Sequence, residues 1–257
     1  MLPLRRMQRL TQLAILGLGM LFAGGCAQVP APDPASPGPM ARQIVAERAS
    51  LVLVTKKEHL TSWQGRSFSP ETAPKDADGG SAAPISADGY FLTADHVLSR
   101  MEGKNVFVFY GRGGKFLVNK ARVVWRSSQA DLALLHVPAK TPYHYEWTPA
   151  EQWLPEGTEV IHGGVSTGYR SGKGKLSTSL SPEGPFTGAR KFKIDIPLLP
   201  GDSGGPVVNA VGQLVGINSA VEFLVPLETA FFVDSECTRP NTRQIANLIK
   251  ADRGKRR

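Results

Sequence analysis

Short apolar runs, broken by glycine and proline, repeat along most of the chain. Ser50 to Thr55 (Ser-Leu-Val-Leu-Val-Thr) is the first, and its Leu/Val density predicts a strand. Lys57 to Gly80 is polar and punctuated by Gly65, Pro70, Pro74 and Gly79-Gly80, which predicts a long surface loop. The strand pattern resumes at Ala82 to Ile85, turns at Asp88-Gly89 and continues through Tyr90 to Thr93. Val106 to Tyr110 and Phe116 to Trp125 flank Gly113-Gly114 as a hairpin, and Asp131 to Val137 adds one more apolar run. From Pro138 to Pro155 the pattern stops. Tyr143, Tyr145, Trp147 and Trp153 there predict a linker anchored across the surface. A second set of runs covers Thr158 to His162, Gly174 to Leu180, Lys191 to Ile196, Pro206 to Asn209, Leu214 to Ala220 and Ala230 to Val233. Thr242 to Ala251 then places Ile245, Leu248 and Ile249 on one helical face. The expected fold is all-β: two six-stranded antiparallel β-barrels side by side, with a C-terminal helix. The first barrel is expected over residues 44–140; residues 141–257 hold the linker, the second barrel and the helix.

Composition changes this picture only at the N-terminus. The 27 glycines and 20 prolines suit a turn-rich β protein of 257 residues, but residues 1–25 do not belong to its core. Arg5, Arg6 and Arg9 precede the apolar run Leu13 to Phe22, and Ala23-Gly24-Gly25-Cys26 follows. A charged head, a short apolar segment and a small-residue cleavage site describe an export signal, too short to span a bilayer comfortably. The cysteine after Ala-Gly-Gly resembles a bacterial lipobox, with Ala23 where leucine is usual. It implies lipidation at Cys26; an ordinary secretory signal cut near Ala23 or Ala27 is the alternative. Ala27 leaves out the aspartate that retains such proteins at the inner membrane, so the outer membrane, facing the periplasm, is the expected anchor. Residues 26–43, with Val29 to Pro39 proline-rich, predict an extended tether, and folding is expected to start near Ile44. Cys237 is the one other cysteine, so no intrachain disulfide is expected, and inert packing is its expected role. Signal arginines supply three of the +8 formal charges. Arg253, Lys255, Arg256 and Arg257 form a basic tail expected to be solvated and frayed. No basic patch interleaved with aromatics argues for nucleic acid.

The chemistry centres on Gly201-Asp202-Ser203-Gly204-Gly205-Pro206. A serine attacks only if a base takes its proton, and the transition state needs donors for its oxyanion. Glycines around Ser203 permit a tight turn in which the amides of Gly201 and Ser203 converge. Gly204 and Gly205 are expected to leave room for a substrate backbone, and Pro206 to launch a strand. A glycine-proline hairpin is the bland alternative. All six positions together resemble the nucleophile loop of trypsin-like (chymotrypsin-fold) serine proteases. His96, in Gly89-Tyr90-Phe91-Leu92-Thr93-Ala94-Asp95-His96-Val97, ends an apolar strand. Asp131, in Ala130-Asp131-Leu132-Ala133-Leu134-Leu135, opens one, where burying an acid needs a partner. The order His, Asp, Ser matches that fold and not those of subtilisin or the α/β-hydrolases. In this triad Ser203 attacks, His96 moves the proton and Asp131 orients the imidazole, with the oxyanion held by Gly201 and Ser203.

Thr93-Ala94-Asp95-His96-Val97, Asp131 to Leu135 and Gly212-Gln213-Leu214-Val215-Gly216-Ile217-Asn218-Ser219-Ala220-Val221 resemble the bacterial HtrA/Deg branch over about Ile44 to Ala251. Asp202 replaces the usual asparagine there, and with about fifty residues after Ser203 the PDZ domains of that family are not expected. The resemblance implies that Ser219-Ala220-Val221 pairs with the substrate backbone and that Ala230 floors the specificity pocket. Leu198 and Leu199 border the nucleophile loop, where no acid waits for a Lys or Arg, so cleavage after small or medium aliphatic residues is expected. Asp202 is expected to pair with Arg190 or Arg170, since an activated amino terminus is out of reach. No metal or other cofactor is called for. Ser171-Gly172-Lys173-Gly174-Lys175 does not have the spacing of a phosphate loop. Protein or peptide substrates are the expected partners, with a non-catalytic scaffold lipoprotein and a serine esterase as alternatives.

Overall fold

The computed structural model describes residues 39–60, 73–112, 115–167, 172–224 and 231–256. Among the described residues, two antiparallel sheets and two α-helices make up the fold. The first sheet has seven strands in the order β2-β1-β5-β6-β7-β4-β3. These are β1 (Ser50–Thr55), β2 (Asp78–Ser81), β3 (Ala83–Pro84), β4 (Tyr90–Thr93), β5 (Asn105–Arg112), β6 (Lys115–Ser127) and β7 (Leu132–His136). Its two edges, β2 and β3, are separated in the chain by Ala82 alone, so one bent segment brings the edges together into a nearly closed barrel. The expected count of six becomes seven at that bend.

The second sheet has six strands in the order β10-β13-β12-β11-β8-β9. They are β8 (Glu159–His162), β9 (Gly172–Lys175), β10 (Arg190–Ile194), β11 (Pro206–Asn209), β12 (Leu214–Leu224) and β13 (Phe231–Arg239). It is more open, and among the described residues its edges are linked by the bridge Leu176↔Ile194.

Alternation fails as a guide within β1 and β7, where every residue is buried. One face of these strands packs inside the first barrel (Val52, Val54, Ala133, Leu135). Their other face joins a cluster shared with Ile161, Val208, Leu214 and Ile217 of the second sheet. Residues 37–257 accordingly form one compact unit.

Three expectations about the chain ends and connections change. Residues 39–43 are not tether: α1 (Pro39–Glu47) begins there, with proline at the helix start, where its missing N–H costs nothing. Ala41 and Val45, four apart, are fully buried, so folding starts before Ile44. The loop expected over Lys57 to Gly80 ends early, because β2 starts at Asp78 and pairs with β1. The basic tail is docked: α2 (Thr242–Lys255) runs past Ala251, Arg253 holds Asp88 at 2.6 Å, and Arg256 donates to Tyr90 Oη at 2.6 Å. The linker aromatics divide. Tyr145 is buried under Arg48 and Trp147 lies under Arg239, whereas Trp153 is exposed. Cys26 and residues 1–25 lie outside the described residues.

Candidate active site

Strand register brings His96 and Asp131 together. β4 and β7 are antiparallel with Thr93 opposite Ala133, so the chain leaving β4 runs beside the chain entering β7. A 3-10 turn over Asp95–Leu98 carries His96, anchored by Arg126, whose Nε sits 2.6 Å from Asp95 Oδ1. His96 Nδ1 lies 2.9 Å from Asp131 Oδ2, and the His96 amide donates to Asp131 Oδ1 at 3.0 Å. Asp131 holds this position at φ +49°, in the left-handed region that aspartate tolerates better than most residues. Burial pushes its carboxyl up, but hydrogen bonds from His96 and Ser219 prevail and hold it well below the usual carboxylate range. The same bond with Asp131 raises His96 above its ordinary 6.5.

The second sheet contributes the serine by a similar register. Pro206 pairs with Ile217, and continuing past that pair, Gly204 N donates to Asn218 O while Asn218 N donates to Gly205 O, both at 2.9 Å. Ser203 therefore sits beside Ser219, and its hydroxyl donates to Ser219 O at 3.3 Å. Among the described residues no hydrogen bond joins Ser203 to His96, so the serine needs a side-chain rotation to reach the imidazole. Ser219 Oγ donates to Asp131 Oδ2 at 2.5 Å, a tie between the sheets that the strand pattern around Ser219 did not disclose. Ser81 N donates to Ser203 O at 2.8 Å and makes a second tie.

The glycines of the loop serve a different purpose from the expected one. A Cβ on Gly204 (φ +87°) would come within 2.2 Å of Ser81 O, and one on Gly205 within 2.1 Å of Gly163 O. The space they leave is filled by the protein's own backbone. Gly201 has φ +104°, and among the described residues neither its amide nor that of Ser203 has an acceptor.

Asp202 departs from expectation. It is fully buried, yet its partners are three backbone amides: Ser166 and Thr167 on Oδ1, both at 3.1 Å, and Leu199 on Oδ2 at 3.0 Å. Arg190 instead faces Glu183 at 3.7 Å, and Arg170 lies outside the described residues. Of the other expected site residues, Leu198 is buried, Leu199 half-exposed and Ala220 exposed. Val221 belongs to β12, and Ala230 lies outside the described residues. Cys237 is buried beside Asn218 Oδ1, and burial pushes its thiol up. No group of three or more metal-ligating side chains occurs among the described residues.

Comparison with known proteins gives the same frame. Residues 80–217 match the model of the trypsin-like peptidase domain. The putative serine protease HhoB of Synechocystis sp. is 27% identical over 180 residues, covering 65% of this chain and 42% of that protein. The serine protease Do-like HtrA of Lactobacillus helveticus is 34% identical over 137 residues, covering 51% of this chain and 32% of its own. The chain thus spans well under half the length of these relatives. A solved HtrA-type protease, AlgW with a tripeptide, superposes with a TM-score of 0.56 at 23% identity, covering 82% of this chain and 62% of that one. This last likeness speaks for the fold alone. The family model covers more than half of the chain, and the chain belongs to the trypsin-like peptidase domain family.

Proposed function

We propose that the protein is a serine endopeptidase in which Ser203 is the nucleophile, His96 the general base and Asp131 the orienting carboxylate. The observation that carries this reading is the Asp131 carboxylate, which accepts from His96 Nδ1 and from Ser219 Oγ. An imidazole that donates through Nδ1 keeps Nε2 as its free acceptor, the tautomer a general base needs. Rotation of the Ser203 hydroxyl away from Ser219 O delivers its proton to Nε2 as the oxygen attacks the scissile carbonyl. The carbonyl oxygen then takes negative charge, for which the Gly201 and Ser203 amides are the donors. His96 passes the proton to the leaving amine, and water repeats the sequence on the acyl-serine.

The expected substrates are unfolded envelope proteins, cut after small or medium aliphatic residues. The nucleophile loop supports this, since Leu198 and Leu199 precede Ser203 and the one acid in the loop, Asp202, is buried and bound by amides. Relatives in Pseudomonas fluorescens and Rhizobium meliloti carry the name probable periplasmic serine endoprotease. With the export-signal pattern of residues 1–26, this supports a periplasmic position, with the lipid anchor at Cys26 holding the domain to the outer membrane.

Fluorophosphonate labelling and casein hydrolysis test the reading together. The wild-type chain is expected to label and to cut casein. Ser203→Ala and His96→Ala should each lose nearly all turnover, because triad members act as a unit. Full activity in Ser203→Ala overturns the assignment. Absent labelling favours a non-catalytic scaffold, and labelling with ester but no protein hydrolysis favours an esterase.

A further inference from the structure

We infer that Ser166 is a positioning residue for the oxyanion site: it fixes the peptide that presents the Gly201 amide, and Asp202 holds Ser166 in place. This rests on the serine-nucleophile reading above. The Pro200–Gly201 peptide is trans, so its C=O and N–H point in opposite directions. Ser166 Oγ donates to Pro200 O, which turns the carbonyl toward the 163–167 segment and the Gly201 N–H away from it. With the Ser203 amide, this N–H is then a donor without a protein acceptor, available to a carbonyl oxygen on Ser203.

Locally, Leu199 to Asp202 is a turn closed by Asp202 N donating to Leu199 O at 2.9 Å, with Pro200 and Gly201 at its centre. That bond is common to type I and type II turns, which differ by a flip of the central peptide, and Gly201 at φ +104° takes the type II form. Glycine adopts positive and negative φ about equally, so the peptide before Gly201 can rotate at little steric cost and put a carbonyl where the donor belongs. Contacts from elsewhere in the fold add to the turn and hold the peptide from two directions. On one side, Asp202 clasps both strands of the loop, taking the amides of Ser166 and Thr167 on Oδ1 and of Leu199 on Oδ2. On the other, the fully buried Ser81 accepts from Val165 N at 2.8 Å and donates to Gly201 O at 2.7 Å. Packing closes the arrangement: a Cβ at position 201 would lie 2.6 Å from Ser166 Oγ and 2.9 Å from Val165 Cγ1. The Asp202 carboxylate thus does with neutral amides what an internal arginine was expected to do with charge. Among the described residues, the partners of its oxygens are amides within the fold.

The test compares the full wild-type chain with Ser166→Ala, Ser166→Thr and Asp202→Asn on a peptide substrate, with Tm recorded for each. Ser166→Ala should lower kcat about 10- to 100-fold, below the loss for a donor removed outright, with KM within about twofold. Affinity for a peptide boronate, which mimics the tetrahedral adduct, should fall in step with kcat. Ser166→Thr keeps the hydroxyl and should restore most of the rate. Asp202→Asn replaces one acceptor oxygen by a donor facing Leu199 N and should show the same kcat-weighted loss. Wild-type kcat in Ser166→Ala overturns the inference, as does an equal loss in the Ala and Thr variants. If Ser166→Ala does not fold, Ser166→Thr and Asp202→Asn decide: low kcat in the first, or wild-type kcat in the second, overturns it. Turnover by wild type that Ser203→Ala abolishes keeps this outcome separate from a failure of the protease reading.

Discussion

At the scale of single residues, His96 and Asp131 form a coupled pair whose charge states oppose activity and stability. A general base works only when neutral, and His96 is raised by its bond to Asp131. The acid limb of kcat/KM should therefore have its midpoint above pH 6.5. The linkage to folding has the opposite sign. A raised imidazole stabilises the folded state below its unfolded value, and that contribution fades as pH rises through the folded value. Activity should thus climb across the window in which this contribution declines. Asp131→Asn removes the largest cause of the shift, so the limb should move to lower pH while kcat falls by about 10⁴-fold through loss of the correct tautomer. Stopped-assay rates from pH 5 to 9 check both; an unmoved limb would mean that another group sets it. The three motif residues stand out in the sequence as candidates because each lies near a strand end framed by glycine or apolar residues. Ser219 is legible only as part of a substrate-pairing strand, not as a partner of Asp131, and Ser81 and Ser166 are not legible at all. A serine in a strand or turn carries no mark of the acceptor it will meet from another part of the chain.

Among the elements, the linker between the sheets is held by a buried cation. Arg239, at the end of β13, donates from Nη1 to Thr148 Oγ1, Leu214 O and Val215 O and from Nη2 to Thr148 O, at 2.7 to 3.1 Å. Its guanidinium also stacks over Trp147, 4.8 Å from the ring centre. Planar, forked donors suit several carbonyls at once in a way a lysine cannot. Arg239→Met removes all of these charged donors at once, although Leu214 O keeps the Thr148 amide, and should cost about 3 kcal/mol. The linker should then open locally, with new thermolysin cuts between residues 138 and 155 and a lower Tm. Unchanged cutting would show that Trp147 and Tyr145 suffice. Helix α2 makes a related point. Asn241 as N-cap, bonding Gln244 N at 2.7 Å, set a start that the sequence signalled. The extra C-terminal turn was set by distant partners: Asp252 takes Tyr90 Oη at 2.8 Å and Arg122 at 2.7 Å.

For the molecule as a whole, the candidate active site depends on the two sheets keeping their relation. Ser219 to Asp131 and Ser81 to Ser203 cross between them, and α1 touches both, lying against β5 of the first and β8 and β11 of the second. Ile44 packs so closely on Gly212 (φ +84°) that a Cβ there would sit 2.3 Å away. Val45→Ala hollows the shared core and should cost about 1–3 kcal/mol. Thermal unfolding should shift down by a few degrees and stay a single transition, because the largest apolar cluster is shared by both sheets and α1. Two resolved transitions in the variant would instead show that α1 alone couples the sheets.

The sequence by itself determined the strand-rich architecture, the position of most strands, the final helix and the order of His96, Asp131 and Ser203. These follow from short-range physics: side-chain period, turn chemistry at glycine and proline, and capping. Tertiary structure decided the bend at Ala82 that makes the first sheet seven-stranded. It also decided the helix that begins at the last proline of the proline-rich stretch and the amide partners of Asp202. Every residue but proline offers the same backbone N–H. Which of them meets a buried carboxylate depends on the register that brings separate parts of the chain together, and no side-chain pattern near Asp202 records it.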